Sequence, residues 1–504
     1  MTQPAAARAV DPDFLALPLD VCADAAIDAA RGLGATHVDV RIERTRTGVI
    51  GLRDSKLESQ SDDTVLGIGV RVVVDGTWGF ASSPSLDPAV SVQLAHNAVL
   101  MAKTSKPLST EFVELVDEPV YQGSWVSSYR IDPFEVSFAD RLALLCDYSD
   151  RLLKSEPVSH VEGHSMFVKE QKFYADSHGT RTSQQRVRMH TAFDSTSVGD
   201  HGFESMRTLA QPAGFGWEWM DGSTFDWDSE LALLPGLLHE KTKSPQVEPG
   251  RYTLVVHPSN LWLTIHESIG HATELDRAIG YEANYAGTSF ATLDQLGKLQ
   301  YGSPLMNITG DRVVEHGLST VGWDDEGVAA QQWDIIKDGV LVGYQLDRRI
   351  APRLGADRSN GCAFADSPAH VPIQRMPNVS LQPAAGGPDT DEIIADVEDG
   401  IYVLGDNSWS IDMQRYNFQF TGQQFHRIKN GRLVGQLRNV AYQATTTDFW
   451  GSMAVVGGPQ TYVLGGAFNC GKGQPGQVAA VSHGCPTALF TNVNILNTAA
   501  EAGA

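Results

Sequence analysis

The sequence predicts an α+β fold, with a mixed α/β amino-terminal domain followed by a β-rich carboxyl-terminal domain. Helical and strand patterns alternate over the first half of the chain, whereas strand and turn signals dominate the second half. The chain has 504 residues, which is more than one compact core usually accommodates. Segment 244–250 contains two prolines and a glycine, so we predict domains at 1–245 and 246–504.

The first half contains most of the predicted helices. Helical periodicity predicts helices over residues 20–33, 88–103, 137–154 and 227–243, and alternating or β-branched residues predict strands over 37–44, 48–53, 65–74, 77–81, 158–174 and 180–193. Asp75-Gly76 separates two of these strands and predicts a hairpin, because both turn positions favour residues that accept positive φ.

Turn signals organise the second half. Asp338-Gly339 separates residues 333–336 from 340–345, and Asn430-Gly431 separates 424–428 from 432–437, so both predict β-hairpins. Residues 391–397 predict a short helix. Glycine is dense over 456–476, which indicates tight turns or a backbone packed closely against other groups.

Composition excludes several classes of partner. The formal net charge is −23, and phosphate binding needs a basic face, so we expect neither nucleic acid nor an anionic membrane as a partner. Apolar residues make up 42% of the chain, which is ordinary for a globular protein with a sizeable core. No run approaches about 18 apolar residues, so no transmembrane helix is predicted.

Cysteine usage and the first residues indicate a cytoplasmic protein. The five cysteines are widely scattered and odd in number, so they predict no disulfide framework and favour a reducing compartment. Residues 1–13 are polar and rich in alanine and proline, without the basic and apolar regions of a signal peptide.

The most informative stretch is His266-Glu267-Ser268-Ile269-Gly270-His271, in which two histidines flank a glutamate. Imidazole nitrogens bind Zn²⁺, and a carboxylate beside the first ligand can accept a proton from activated water. The pattern therefore predicts a metal-dependent hydrolase, although such a motif also arises by chance. The apolar run at 261–265 places it on a buried helix, where polar groups need partners.

The spacing of the two histidines differs from that of H-E-x-x-H. At about 100° per residue, ligands four residues apart lie roughly 40° apart on a helix, whereas ligands five residues apart lie roughly 140° apart. A regular helix would direct His266 and His271 away from each other. We therefore predict a π-bulge or a helix break between them, with Gly270 supplying a permissive backbone.

A catalytic zinc site normally takes three protein ligands, so a third must be found. Cys470 is a candidate because it lies in a glycine-rich loop, where the nearby Lys472 would favour the thiolate. His483 and Cys485 are its rivals, and an inert buried cysteine is the alternative for either thiol. The residues alone leave this choice open.

The order and spacing of several motifs resemble those of the TldD/PmbA proteins, specifically the metal-bearing TldD-type member, over most of the chain. The motifs are the 266–271 stretch, Asp324-Asp325-Glu326-Gly327-Val328, Gly343-Tyr344-Gln345-Leu346-Asp347-Arg348, Arg375-Met376-Pro377-Asn378 and Cys470-Gly471-Lys472, with Gly67-Ile68-Gly69-Val70-Arg71-Val72-Val73 and Trp78-Gly79-Phe80 in the first half. Gly484-Cys485-Pro486 departs from the expected Gly-Gln-Pro, and one extra residue follows Cys470. Both differences concern the shape of the loop near the metal.

The resemblance implies a zinc-dependent peptidase in which His266, His271 and Cys470 bind Zn²⁺ and Glu267 is the catalytic carboxylate. The carboxyl-terminal domain then carries the metal site. The resemblance also implies a dimer that encloses a chamber, formed by the chain with itself or with a paralogous PmbA/TldE-type subunit. The implied substrates are unfolded or extended peptides.

Two other functions fit the same residues. The metal can be structural, in a non-catalytic subunit that binds or matures a peptide, with His483 or Cys485 as a fourth ligand. Glu267 argues against this reading, because a structural site does not require it. An amidase acting on small molecules differs only in substrate. Arg348 and Tyr344 are candidates for stabilising an oxyanion, although structural roles are favoured for both.

Two other groups of residues are interpreted as structural. Asp324-Asp325-Glu326 precedes Gly327 and predicts a solvated turn rather than a cation site. Trp217 and Trp219 could line a peptide groove, but core packing is favoured.

Overall fold

Two β-systems organise this α+β chain, whose computed structural model describes residues 9–200 and 202–501. A seven-stranded sheet with helices packed on it forms in the first half, and a barrel forms in the β-rich second half. The predicted fold class is therefore confirmed. The interpretation of residues 1–13 as lacking a signal peptide falls largely on residues 1–8, which lie outside the described ranges.

The predicted helices are confirmed, with ends displaced by a few residues. Helices α3 and α4 begin where Asp87 and Ser137 accept hydrogen bonds from backbone N–H groups of their first turns. The α-helices are Pro12–Leu15 (α1), Leu19–Gly32 (α2), Pro88–Ser105 (α3), Phe138–Leu153 (α4), Trp227–Lys243 (α5), Pro258–Ile265 (α6), Leu275–Ala278 (α7), Ala351–Leu354 (α8), Thr390–Ala395 (α9), Thr446–Gly451 (α10) and Thr498–Glu501 (α11).

The first sheet has the order β3-β2-β1-β5-β6-β4, with β7 pairing to β6. Its strands are His37–Arg53 (β1), Lys56–Val74 (β2), Thr77–Ser83 (β3), Gln122–Val126 (β4), His160–Asp176 (β5), Arg181–Gly199 (β6) and Gly202–Arg207 (β7). The two strands predicted over 37–44 and 48–53 are one strand, because the intervening residues pair with both β2 and β5. Trp217 and Trp219 lie in the core below this sheet, as predicted.

A closed barrel dominates the second half, in which β15, β8, β22, β18 and β16 pair in that order and β16 returns to β15. Two further strands extend it, β17 beside β16 and β19 beside β22. The strands of this half are Gly250–Val256 (β8), Ile308–Asp311 (β9), Gln332–Lys337 (β10), Val340–Leu341 (β11), Ala363–Phe364 (β12), Ile373–Gln374 (β13), Asn378–Leu381 (β14), Asp399–Ile411 (β15), Asn417–Lys429 (β16), Arg432–Leu437 (β17), Val440–Thr445 (β18), Met453–Val456 (β19), Val463–Lys472 (β20), Gln477–Cys485 (β21) and Ala488–Asn497 (β22).

The predicted hairpin turns are confirmed by their backbone angles. Asp75 and Gly76 have φ of 50° and 71°, Asp338 and Gly339 have 50° and 79°, and Asn430 and Gly431 have 47° and 73°. The glycine-dense stretch 456–476 contains strand β20 and the turn that leads into β21. There the backbone does approach other groups closely, since a Cβ on Gly465 would lie 2.7 Å from Trp262.

The acidic triplet corrects the sequence interpretation. Asp324, Asp325 and Glu326 are 2–4% exposed and do not form a solvated turn. Lys172 on β5 contacts the Asp325 carboxylate at 2.8 Å, and Arg71 on β2 contacts Glu326 at 2.9 Å. The long strands of the first sheet supply these cations, so Asp325 and Glu326 are neutralised by buried ion pairs. The two ion pairs join the two halves of the chain. Asp324 forms no ion pair among the described residues and accepts hydrogen bonds from the backbone N–H groups of Glu326, Val328 and Ala363.

The domain boundary near residue 245 stays a prediction. Helix α5 ends at Lys243 and β8 begins at Gly250, with a single bridge between Gln246 and Arg438 in the intervening segment. Val247 in this segment is 3% exposed, so the segment packs against the second half. Within the described ranges, no helix combines the length and apolar character needed to cross a membrane.

Candidate metal centre

The histidine motif lies at the end of the buried helix α6. His257 caps this helix by accepting a hydrogen bond from the Ser259 N–H, and all eight of its residues are buried. Residues His266–Gly270 then form a π-helical turn, and His271–Thr273 form a 3₁₀ turn. The predicted π-bulge is therefore confirmed.

The π turn brings the two histidines together. The N–H of His271 donates to the carbonyl of His266, five residues earlier, and the two ring centroids are 4.7 Å apart. An extra residue in the turn compensates for the five-residue spacing, which in a regular helix would direct the rings apart.

Gly270 is needed for a reason that differs from the predicted one. Its φ of −51° and ψ of −60° are accessible to any residue. A Cβ at this position would instead lie 2.5 Å from the sulfur of Met376. The glycine thus provides space for a neighbouring side chain rather than backbone freedom.

Three potential ligands converge at this turn. The candidate ligand atoms of His266, His271 and Cys470 all lie within 4.8 Å of one another, and each residue is 4–5% exposed. Cys470 on β20 places its Sγ 3.6 Å from Nε2 of His271. Two imidazoles and one thiolate form a donor set that zinc prefers, and three protein ligands leave a position for water or substrate. The residues therefore fit a catalytic zinc ion.

His483 holds His266 in the tautomer that a metal ligand needs. Nδ1 of His483 lies 2.8 Å from the carbonyl oxygen of Val379, which can only accept, so this nitrogen carries a proton. Burial and the neighbouring His266 lower the pKa of His483 well below its ordinary value, so the ring is neutral. Nε2 of His483 then accepts from Nδ1 of His266 at 2.7 Å, which leaves Nε2 of His266 free to bind a metal.

Glu274 orients the ring of His271 as His483 orients that of His266. Its Oε2 accepts from Nδ1 of His271 at 2.9 Å, which directs Nε2 of His271 toward Cys470. Burial opposes ionisation of Glu274, but Lys472 and His271 hold its pKa well below the ordinary value. Both candidate histidine ligands therefore present Nε2 to one point.

Lys472 does not act on the thiol directly, in contrast to the sequence interpretation. Its Nζ contacts Glu274 at 2.9 Å and Asp276 at 2.8 Å. Burial raises the pKa of the Cys470 thiol, whereas the nearby His271 and Arg375 lower it. The lowering is larger, so the pKa of the thiol lies below its ordinary value. Arg375 also donates to the Cys470 carbonyl oxygen at 2.5 Å.

The rival ligands lie outside this group. Both ring nitrogens of His483 are used by His266 and Val379, and the Sγ of Cys485 lies 3.7 Å from the carbonyl of Pro258. Burial raises the pKa of the Cys485 thiol, as expected for an inert filler.

Glu267 forms an ion pair with an arginine that the sequence analysis did not single out. Its Oε2 lies 2.7 Å from Nη1 of Arg415, which follows β15 in the turn to β16. No motif surrounds Arg415 in the sequence, and only the barrel brings it to the metal motif.

The oxyanion candidates Tyr344 and Arg348 have structural roles, as the sequence interpretation favoured. The Tyr344 hydroxyl donates to the Ala291 carbonyl at 3.0 Å, and Arg348 Nε donates to the Val116 carbonyl at 3.0 Å.

A buried His-His-Cys donor set beside a carboxylate therefore defines a candidate metal site next to the barrel. Two family profiles match the chain: "PmbA/TldA metallopeptidase domain 1" over residues 38–102 and "PmbA/TldA metallopeptidase C-terminal domain" over residues 249–497. Together they cover more than half of its length. The chain belongs to the PmbA/TldD family, which confirms the resemblance.

Relatives along nearly the whole chain carry metalloprotease names. "Metalloprotease MJ0996" of Methanocaldococcus jannaschii is 26% identical over 82% of this chain and 87% of its own length. The "Zinc metalloprotease TldD homolog" of Saccharolobus solfataricus is 23% identical over 91% of this chain and 96% of its own.

Solved structures share the fold. TldE from Thermococcus kodakarensis superposes with a TM-score of 0.73 at 15% identity, covering 94% of this chain and 99% of that one. A Thermotoga maritima protein gives a TM-score of 0.75 at 15% identity, covering 95% and 100%.

Proposed function

We propose that this chain is a zinc-dependent peptidase that hydrolyses unfolded or extended peptides inside a chamber formed with a partner subunit. The observation that carries the proposal is the convergence of His266, His271 and Cys470 beside Glu267. The metalloprotease names of full-length relatives support it.

Each residue of the centre has a part in the proposed chemistry. Zinc held by His266, His271 and Cys470 supplies Lewis-acid chemistry that activates water for attack on an amide carbonyl. Glu267 accepts the proton of the attacking water and passes it to the leaving amine nitrogen. His483 and Glu274 keep the two imidazoles in the ligand tautomer.

The geometry supports a catalytic metal over a structural one. A structural zinc site needs four protein ligands, and the two candidates for the fourth are His483 and Cys485. His483 is occupied by hydrogen bonds on both nitrogens, and Cys485 lies against the carbonyl of Pro258. Three ligands with a carboxylate alongside fit the peptidase better than the peptide-binding alternative.

The hairpin β20–β21 suggests how a peptide is held. It is a two-stranded sheet that carries Cys470 on β20. An extended peptide that adds to its edge would lie beside the metal centre and gain main-chain hydrogen bonds with little side-chain selectivity.

The partner is proposed from chemistry and from fold. An open peptidase site in the cytoplasm would degrade neighbouring proteins, so we propose enclosure in a dimer with itself or with a PmbA/TldE-type subunit. The shared fold with TldE is consistent with such pairing. All five cysteines are free, which fits the proposed cytoplasmic location.

The test is reconstitution. Purified protein, alone and co-expressed with a PmbA/TldE-type paralogue, would be stripped with a chelator and reloaded with zinc. Hydrolysis of casein, an unfolded substrate, should disappear on stripping and return with one zinc per chain. A zinc-replete protein that leaves casein intact in both preparations would overturn the proposal.

A further inference from the structure

We propose that Arg415 is a second catalytic group, which holds the Glu267 carboxylate and donates a hydrogen bond to the carbonyl oxygen of the peptide bond being cut. The inference rests on the proposed peptidase function and assigns the oxyanion donor, a role for which Tyr344 and Arg348 are less suited because both donate to backbone carbonyls.

The first observation is the ion pair with Glu267. Nη1 of Arg415 lies 2.7 Å from Oε2 of Glu267, and the two side chains are 14% and 8% exposed. Glu267 directly follows a candidate ligand, so the Arg415 guanidinium lies beside the position where a substrate carbonyl must bind. A charge-assisted hydrogen bond in this shielded place fixes the carboxylate more firmly than one at the surface.

The second observation is the backbone of Arg415. Its φ is 64°, in the left-handed region that a long side chain adopts only at a cost of roughly 1–2 kcal/mol. The conformation is held from both sides, since the Arg415 N–H donates to the Asp412 carbonyl at 3.0 Å and Thr446 Oγ1 donates to the Arg415 carbonyl at 2.8 Å. Asp412 also accepts from the Tyr416 N–H at 2.8 Å. Strain retained in this way is typical of functional positions.

The third observation is a spare donor. A guanidinium has five N–H donors, and Glu267 takes one through Nη1. Nε of Arg415 is buried and has no hydrogen-bond partner among the described residues. Nε is closed to solvent, whereas the side chain as a whole is 14% exposed, so a substrate would meet the Nη N–H groups, of which Glu267 takes one among the described residues.

The substrate carbonyl is the acceptor that the reaction brings to this place. As the water oxygen bonds to the carbonyl carbon, Glu267 takes the water proton and the carbonyl oxygen gains negative charge. When the C–N bond breaks, its electron pair and the proton held by Glu267 go to the leaving nitrogen, and the oxygen loses its negative charge as the C=O bond re-forms. Arg415 stays protonated throughout, and its hydrogen bond strengthens as the charge develops.

The experiment compares Arg415 with a matched arginine on the same barrel. Arg427 pairs with Asp399, its side chain is 18% exposed, and it lies near the far end of β16 from the metal centre. The variants are Arg415→Gln, Arg415→Lys, Arg427→Gln and Arg427→Lys. Each is tested for zinc content, thermal unfolding, and kcat and KM on casein-derived peptides.

We expect all four variants to keep zinc. Arg415→Gln should lose about 100- to 1,000-fold in kcat with a smaller change in KM, because the lost interaction forms fully only in the transition state. Arg415→Lys keeps the charge facing Glu267 but lacks the planar set of donors, so its kcat should be intermediate. Both Arg427 variants should stay within about threefold of the wild type.

A binding measurement adds a readout that is independent of turnover. A phosphinic peptide, which carries a tetrahedral anion in place of the scissile amide, is compared with the parent peptide. The wild type and Arg427→Gln should prefer the phosphinic peptide, and this preference should fall at least tenfold in Arg415→Gln. An unchanged preference, or a loss confined to KM, would overturn the role of Arg415.

The outcomes separate this inference from the proposed function. A wild-type protein that binds zinc but cleaves no peptide overturns both. An active wild type with an equally active Arg415→Gln variant overturns only the role of Arg415, and so does an equal loss in Arg427→Gln.

Discussion

His266 donates from Nδ1 to Nε2 of His483 over 2.7 Å. His483, which the sequence offered as a candidate ligand, therefore orients the candidate ligand His266. His483 is itself oriented by the Val379 carbonyl, so the chain of hydrogen bonds ends on the backbone of β14. A backbone carbonyl can only accept a hydrogen bond, so it fixes the proton of His483 on Nδ1 and leaves Nε2 of His483 as the acceptor for His266. The tautomer of His266 is therefore determined by the fold before any metal binds.

Loss of this support should weaken metal binding without removing a ligand. For His483→Gln we expect zinc affinity to fall about 10- to 100-fold, because a flexible amide holds the acceptor for His266 Nδ1 less firmly than the buried ring does. The measurement is competition with a chelator of known affinity. His426→Gln is the control, since His426 lies on β16 and, among the described residues, its ring hydrogen-bonds to Gln424 alone. Equal affinities in both variants would contradict the role given to His483.

Glu267 should be separable from metal binding. For Glu267→Gln we expect one zinc per chain, as in the wild type, because the ligand set is unchanged. Peptide cleavage should fall roughly 10²- to 10⁴-fold, since the proton acceptor is gone. Elemental analysis and casein hydrolysis would be run on the same preparation. An active variant with full zinc content would refute the assignment of Glu267.

The two buried cysteines form a matched pair. Cys470→Ala should lose zinc because a thiolate ligand is removed, whereas Cys485→Ala should retain it because that thiol lies outside the ligand group, in the core against the carbonyl of Pro258. Metal content by elemental analysis decides between them. If Cys485→Ala loses zinc and Cys470→Ala keeps it, the third ligand is wrongly assigned.

Substrate choice should depend on unfolding rather than on sequence. Enclosure in a chamber admits extended chains, and binding by strand addition uses the main chain. One protein, offered in folded form and in a destabilised form, should be cleaved only in the second, at sites of varied residue type. Equal cleavage of both forms, or cuts confined to one residue type, would argue against this account.

Acid should weaken the buried ion pair between Asp39 and Arg71, two residues of the first sheet. Burial opposes ionisation of Asp39, but Arg71 and His37 lower its pKa to about 2. A folded-state pKa below the ordinary value of about 3.9 stabilises the fold by roughly 2–3 kcal/mol above pH 4, and this contribution is lost as the pH falls through 2.

Asp39→Asn should therefore unfold more easily than the wild type at neutral pH by roughly 3 kcal/mol, because Arg71 loses a buried partner. The difference should narrow below pH 4. Asp62→Asn, in the exposed pair with Arg46, is the control and should change stability by less than about 1 kcal/mol. The free energy of unfolding of the wild type and of Asp39→Asn would be measured in urea across this pH range. A difference between the two proteins that widens in acid would contradict the prediction.

Local chemistry made much of this protein predictable from its sequence. The turns at Asp75-Gly76 and Asn430-Gly431 follow from the residues alone, because few others accept positive φ. The π turn at 266–270 follows from the five-residue spacing of two histidines that must face one ion.

The tertiary structure decided what depends on contacts between distant segments. The closed barrel brings Arg415 within 2.7 Å of Glu267, although 148 residues separate them. The pairing of Asp325 with Lys172 likewise turned a predicted solvated turn into a buried junction. Charge and composition are the same for a solvated and a buried acid, and only the cations brought by the opposite sheet determine which it becomes. The residue types near the centre therefore specify the chemistry available there, while packing specifies which distant residues support it.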